Sequence, residues 1–212
     1  MTDDANTPDH PQIYLMTPPD FELSSFPDQL AACLDATEVA CVRLSLATKD
    51  EDRIARAADA LRMVTHDRDV ALVMDTHMLL VERLGLDGVH LTDAARSVKK
   101  VRKDLGEDAI VGAFCHNSRH DGMTAGELGA DYVSFGPVGQ SPLGDGRQAE
   151  LELFQWWSMM IEVPVVAEGV LDETLIRQIA PHTDFFGLGE EIWSTDAPAD
   201  TLKTLTAAMM KA

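Results

Sequence analysis

The chain has 212 residues, close to the minimum of about 200 for an eight-unit β/α barrel and short for two full domains. Its net charge of −19, from 17 basic and 36 acidic residues, opposes binding to nucleic acid or anionic lipid, so any phosphate site has to be made locally. Apolar residues make up 45%, enough for an ordinary core, but runs such as Val70–Met74 fall far short of the roughly 20 residues a membrane span needs.

Residues 1–11 are acidic and polar and predict a disordered tail, with one barrel domain over 12–212. They carry neither the basic start nor the apolar stretch of a signal peptide, and a cytoplasmic location is expected. Cys33, Cys41 and Cys115 are odd in number and lack paired spacing, which predicts reduced thiols rather than disulfides or a zinc knuckle.

Eight short runs read as strands: Gln12–Met16, Val39–Leu46, Val70–Asp75, Gly88–Thr92, Ile110–Cys115, Tyr132–Val138, Val163–Val170 and Asp184–Gly189. Most are continuously apolar, as parallel strands covered on both faces are. Amphipathic stretches separate them. Asp50–Met63 places Ile54, Ala57, Ala58 and Leu61 on one stripe behind an acidic first turn. Further helices are expected over 92–105, over 124–128 closed by Gly129, and over 172–179. Trp156, Trp157, Met159 and Met160 share an apolar helix before the seventh strand, as outer packing or as a contact in a homo-oligomer. An alternation of this kind allows a closed barrel or an open doubly wound sheet. Eight units favour a single (β/α)₈ TIM barrel, of α/β class with parallel strands and outer helices. Met16-Thr-Pro-Pro-Asp20 after the first strand, in place of a Gly-x-Gly-x-x-Gly turn, weighs against a dinucleotide fold.

Such barrels work at the C-terminal ends of their strands. Arg43, Ser45 and Thr48 fall there on strand two, Asp75, Thr76 and His77 on strand three, and His90, Thr92 and Asp93 on strand four. Cys115, His116 and Asn117 follow on strand five, Ser134 and Gly136–Gly139 on strand six, Glu168 and Gly169 on strand seven, and 187–191 on strand eight. Asp75, His77, Asp93, His116 and Glu168 are candidates for a divalent metal, and imidazole with carboxylate suits Zn²⁺, Mn²⁺ or Fe²⁺ better than Mg²⁺. Arg43, Lys49, Arg119 and Arg147 are candidates for an anion clamp. His90 reads as a hydrogen-bonded interior histidine, and Cys115 as a small buried residue.

Three segments carry a resemblance. Gly129-Ala-Asp-Tyr-Val-Ser-Phe-Gly-Pro-Val138 resembles the segment GADYV-x-x-GP-[IV] of the thiamine phosphate synthase and thiazole tautomerase superfamily. Leu86–Leu91 resembles its ADG-[IV]-H-[LI] segment, and Pro164–Ala167 the start of its seventh strand. The order of the segments is kept over residues 12–193. The resemblance implies an enzyme of thiamine biosynthesis that joins hydroxymethylpyrimidine pyrophosphate to a thiazole phosphate and releases pyrophosphate. It implies Mg²⁺ as cofactor, thiamine precursors as partners, and catalysis by cations around the leaving group.

The chain departs from the family at its catalytic motifs. On strand two the family's Gln, Arg and Lys are replaced by Arg43, Ser45 and Ala47. Its Asn-Asp after strand three is Asp75-Thr76, and its Gly-Gln-x-Asp after strand four is Thr92-Asp-Ala-Ala95. Its Ser-x-His-[ST] is Phe114–Asn117, with only the His kept. Its phosphate-clamping Thr-x-Thr-Lys is Ser141–Gly144, and its strand-seven Gly-Gly is Glu168-Gly169. Pro137 stands where the tautomerase branch has a His. Carried over residue by residue, Arg43, His116 and Ser134 are the catalytic candidates. Gly136, Ser141, Glu168, Gly169 and Gly189 are the substrate- and phosphate-binding ones. Asp75 and Asp93 are weak Mg²⁺ ligands with His77 in support. The lost cations favour a non-catalytic ligand-binding or regulatory barrel as the alternative, and Glu168, Glu190 and Glu191 would oppose a phosphate at the mouth of strands seven and eight.

Overall fold

A computed structural model describes residues 10–140 and 147–210. Eight parallel strands close into a barrel in sequence order, each paired with its neighbours and the eighth with the first. They are β1 (Gln12–Met16), β2 (Cys41–Leu44), β3 (Ala71–Asp75), β4 (Gly88–Leu91), β5 (Ile110–Phe114), β6 (Tyr132–Phe135), β7 (Val165–Glu168) and β8 (Phe185–Leu188). All eight predicted strands are present, most trimmed at one or both ends where the backbone leaves the ladder. The TIM-barrel class is therefore the observed one. Most of the stretch assigned to a disordered tail, residues 1–9, lies outside the described residues, as does Ser141.

The helices are α1 (Phe26–Ala36), α2 (Glu51–His66), α3 (Met78–Leu84), α4 (Val98–Leu105), α5 (Arg119–Glu127), α6 (Leu151–Met160), α7 (Glu173–Ile179), α8 (Glu190–Trp193) and α9 (Pro198–Met209). Asp50 caps α2 by accepting from the Asp52 and Arg53 amides, and the predicted stripe of Ile54, Ala57, Ala58 and Leu61 is the buried one. Asp172 caps α7 in the same way.

Two expectations need correcting. The helix expected from residue 92 begins at Val98, because Ala94 takes a left-handed φ of 57° and residues 92–97 form turns. The helix expected over 124–128 begins at Arg119, capped by the Ser118 hydroxyl. Glu190 opens only the four-residue α8, and the final helix is α9, started by Pro198.

Alternation along the strands separates two cores. Outward residues such as Leu15, Val42, Leu72, Val89, Val133 and Phe186 pack beneath the helices in one large apolar layer. Trp157 is buried there edge-on to Phe135, whereas Met159 and Met160 are exposed. Inward residues Tyr14, Cys41, Val73, Tyr132 and Val166 fill the middle of the barrel.

Candidate active site

Above that layer most inward positions are polar, with Met16 and Phe114 as apolar exceptions. Arg43 on β2 lies in register with Met16 on β1 and Val73 on β3 and is buried. Its Nη1 donates to Glu168 Oε2 on β7 at 2.9 Å and to His90 Nε2 on β4 at 3.0 Å. Its Nε stands 3.2 Å from Asp75 Oδ1 on β3, a charge contact without hydrogen-bond geometry. Asp75 Oδ2 accepts from the Ser45 hydroxyl at 2.5 Å. Two carboxylates thus hold one guanidinium across the barrel. Burial opposes the charge on Arg43, but Glu168 and Asp75 outweigh it and its pKa is raised. Burial also raises the pKa of Glu168, against the pull of Arg43.

Below Arg43 the polar chain continues downward. A guanidinium can only donate, so His90 Nε2 is the bare nitrogen and Nδ1 carries the hydrogen. Nδ1 donates to the Tyr132 hydroxyl at 2.9 Å, which shares a 2.5 Å hydrogen bond with the Tyr14 hydroxyl. Burial, followed by Arg43, holds the His90 pKa well below its ordinary value, so the ring is neutral. Burial holds both phenols well above theirs. His90 is the interior histidine expected from sequence. Tyr14 and Tyr132 join it, and the sequence signal for them is their alternation with outward apolar residues, which marks them as inward-facing.

At the mouth, a cleft of about 640 Å³ is lined by Met16, Phe114, His116, Pro137, Glu168, Gly169, Val170, Glu190, Glu191 and Ser194. Among the described residues its polar lining offers carboxylates, an imidazole and a hydroxyl, and neither lysine nor arginine. Glu168 both lines the cleft and bonds to Arg43, so the cleft meets the polar interior at this residue. Ser134 is fully buried on β6; its hydroxyl makes no hydrogen bond of ordinary geometry but lies near enough to Glu168 to favour that carboxylate. His116 reaches the cleft from a left-handed φ of 54°. Thr76, Ala94 and Val170 take the same conformation after β3, β4 and β7. Backbone strain in non-glycine residues gathers at such functional mouths.

The structure therefore brings Arg43, Ser134, Glu168 and Asp75 together below the cleft, with His116 and Gly169 on its wall. The Gly136 amide donates to the His116 carbonyl at 2.9 Å. Glu191 accepts from the Leu171 amide at 2.8 Å and the Gly189 amide at 2.9 Å, so its own carboxylate engages the backbone donors of that turn. Glu190 also faces the cleft.

The metal candidates do not assemble. Asp75 faces Arg43, Asp93 accepts from the Ser97 hydroxyl at 2.6 Å, and His77 is held to the Asp75 carbonyl at 2.9 Å. Among the described residues no group of three or more His, Cys, Asp or Glu is placed to hold a metal ion. A guanidinium against Asp75 repels a divalent cation, so these residues do not fit the Mg²⁺ site of the family pattern. Of the clamp candidates besides Arg43, Arg119 lies over the Trp156 ring at 4.9 Å, and Lys49 is exposed. Burial pushes the Cys115 thiol up to about 12, too high for a nucleophile at neutral pH.

A closed eight-strand barrel with a cleft at its carboxyl-end mouth is the architecture of a small-molecule enzyme or binding barrel. The chain matches the family described as "Thiamine monophosphate synthase" over residues 13–186, and it belongs to that family. It is 40% identical to a thiamine-phosphate synthase of Rhodospirillum centenum, covering 88% of this chain and 91% of the relative. It is 34% identical to one of Hyphomonas neptunium, covering 98% and 97%. Among solved structures, a thiamine phosphate pyrophosphorylase from Pyrococcus furiosus superposes with a TM-score of 0.82 over 94% of this chain and 96% of that one, and its 18% identity bears on the fold alone.

Proposed function

We propose that this protein is a thiamine-phosphate synthase, which transfers the pyrimidine methyl group of hydroxymethylpyrimidine pyrophosphate to a thiazole phosphate. The observation that carries the reading is 40% identity to a protein of that name across nine-tenths of its length. The cleft, open at the catalytic end of the barrel, supports it. In this reading Arg43 sets the charge of the site's floor, and Ser134 and His116 act on the substrate beside it. The phosphate groups fall to the turn at Gly169 with Ser141, and to the turns at Gly136 and Gly189 only if a phosphate displaces the His116 carbonyl and the Glu191 carboxylate from their amides. A cytoplasmic setting belongs to the same proposal; among the described residues no helix is long and apolar enough to cross a membrane. So does a homo-oligomer contact at the end of α6, supported by the exposure of Met159 and Met160.

The second reading, a ligand-binding barrel without turnover, draws on the carboxylates of the cleft and on Glu191 at the Gly189 turn. Complementation of a thiamine-auxotrophic strain lacking its synthase separates the two. Growth at normal expression supports the enzyme, and failure of a soluble, folded protein to restore growth supports the binding barrel. With Asp75 paired to Arg43, calorimetric titration of Mg²⁺ is expected to give millimolar or weaker binding, and a micromolar site would contradict the assignment.

A further inference from the structure

We propose that Glu168 determines specificity for one half of the reaction by accepting the N–H donors of an amino-substituted nitrogen heterocycle lying on the floor of the cleft. The inference rests on the synthase reading for its substrate, since the pyrimidine precursor belongs to that chemical class.

Glu168 is only 8% exposed, yet it lines the cleft. Arg43 fixes Oε2 and the buried Ser134 hydroxyl lies beside the carboxylate, so the group is held in one orientation where it lines the cleft. The neighbouring strands leave room for this side chain. A Cβ added at Gly136 would stand 3.1 Å from Glu168 Cγ and 2.4 Å from its carbonyl oxygen, and one at Gly187 would stand 2.8 Å from its Cβ. Phe114, Pro137 and Met16 supply flat or flexible apolar walls suited to a ring. A buried carboxylate between such walls rejects an anionic edge and a purely apolar ring, and rewards N–H donors. Two departures from the family pattern also meet here: Arg43 stands at its Gln and Glu168 at its glycine-type position, 2.9 Å apart. They form one linked change, in which Arg43 pairs with the new carboxylate, partly offsets its burial and aims it.

The test is calorimetric binding of a hydroxymethyl aminopyrimidine and of the same ring without its amino group. The wild type is expected to prefer the amino ring by about ten- to a hundredfold, the worth of a hydrogen bond to a charged group. Glu168→Gln turns an amide to the ligand and is expected to bring the two rings within about twofold, with the deamino ring bound as before. Glu168→Asp, which keeps the charge and withdraws it by one methylene, is expected to weaken the amino ring alone and serves if the Gln variant does not fold. In turnover, the KM for the pyrimidine substrate is expected to rise in the Gln variant while that for the thiazole phosphate stays or falls with the loss of a nearby negative charge. A wild type that binds neither ring, or discrimination that survives in both variants, overturns the inference. Discrimination lost with Glu168 in a protein that fails complementation overturns the synthase reading and leaves the inference standing. Complementation by a wild type whose Gln variant discriminates normally does the reverse.

Discussion

On the outer face of the barrel, Leu15, Val42, Leu72 and Val133 meet the helices through carbon alone. One residue along the same strands, on the inner face, stand Tyr14, Arg43, Val73 and Tyr132, and three of these four belong to one polar chain. The outer layer gains by area removed from water, and each residue contributes nearly independently. The inner column gains only while every donor keeps its acceptor, because an unpaired polar group in that setting costs more than its hydrogen bond contributes. A single substitution should therefore be graded on the outside and abrupt on the inside.

The largest expected effect tests that contrast. Arg43→Met leaves Glu168 and Asp75 facing each other without their guanidinium and is expected to cost about 3–5 kcal/mol in denaturant unfolding. Adding Glu168→Leu removes the stranded charge, and the double variant should recover most of the loss, since an apolar replacement of a buried pair is often neutral. Leu61→Ala, on the outer layer, should cost about 2–5 kcal/mol from its cavity. Combined with Arg43→Met it should simply add. If the Arg43 and Glu168 effects also add, the inner column is no cooperative unit.

The outer layer was legible in sequence because it follows one rule, burial at every second strand residue and along one helix stripe. Ile54, Ala57, Ala58 and Leu61 were found that way. The inner column was only partly legible. His90 and Arg43 stood out as polar residues inside apolar strands, but their partners lie 42 and 125 positions away in sequence, and no local pattern joins them. That Glu168 and Glu191 face inward depends on the closure of the barrel and the turn after β8. Metal ligation at Asp75 was inferred from motif position, and it is the arrival of Arg43 from the neighbouring strand that changes its surroundings. Helix starts were misplaced where a left-handed residue such as Ala94 interrupts a stretch of good helical composition.

A smaller effect probes the space inside. A Cβ on Gly112 would stand 2.0 Å from the Tyr132 ring carbon that bears the hydroxyl. Gly112→Ala must therefore displace Tyr132 and strain its bonds to His90 and Tyr14, at an expected cost of about 1–3 kcal/mol. Tyr132→Phe in the Gly112→Ala background should cost less than in the wild type, because the hydroxyl is already out of place. Equal costs in the two backgrounds would show that the column tolerates the shift.

The mildest test uses protons in place of substitutions. His90 is neutral in the folded protein, with a pKa well below the ordinary value because of burial and the adjacent Arg43. The unfolded chain binds a proton there near the ordinary pKa of about 6.5. Above that pH neither state is protonated at His90, and the contribution of its neutral form is fully present. As the pH falls below about 6.5, the unfolded state gains a proton that the folded state refuses, so stability declines by up to about 1.4 kcal/mol per pH unit until the depressed folded pKa is reached. Glu168 has the opposite sign: its raised pKa favours the folded state at low pH, and that contribution is lost as the pH rises through the raised value. The two overlap, so the wild-type curve alone does not isolate His90. Its difference from His90→Gln does, because the variant keeps Glu168 and lacks the imidazole. Denaturant unfolding at half-unit steps from pH 7.5 to 5 should show the wild type losing stability relative to the variant only below about 6.5. A difference that stays flat across that range would mean that the ring takes up a proton in the folded barrel, and the tautomer assigned from Arg43 would then be wrong.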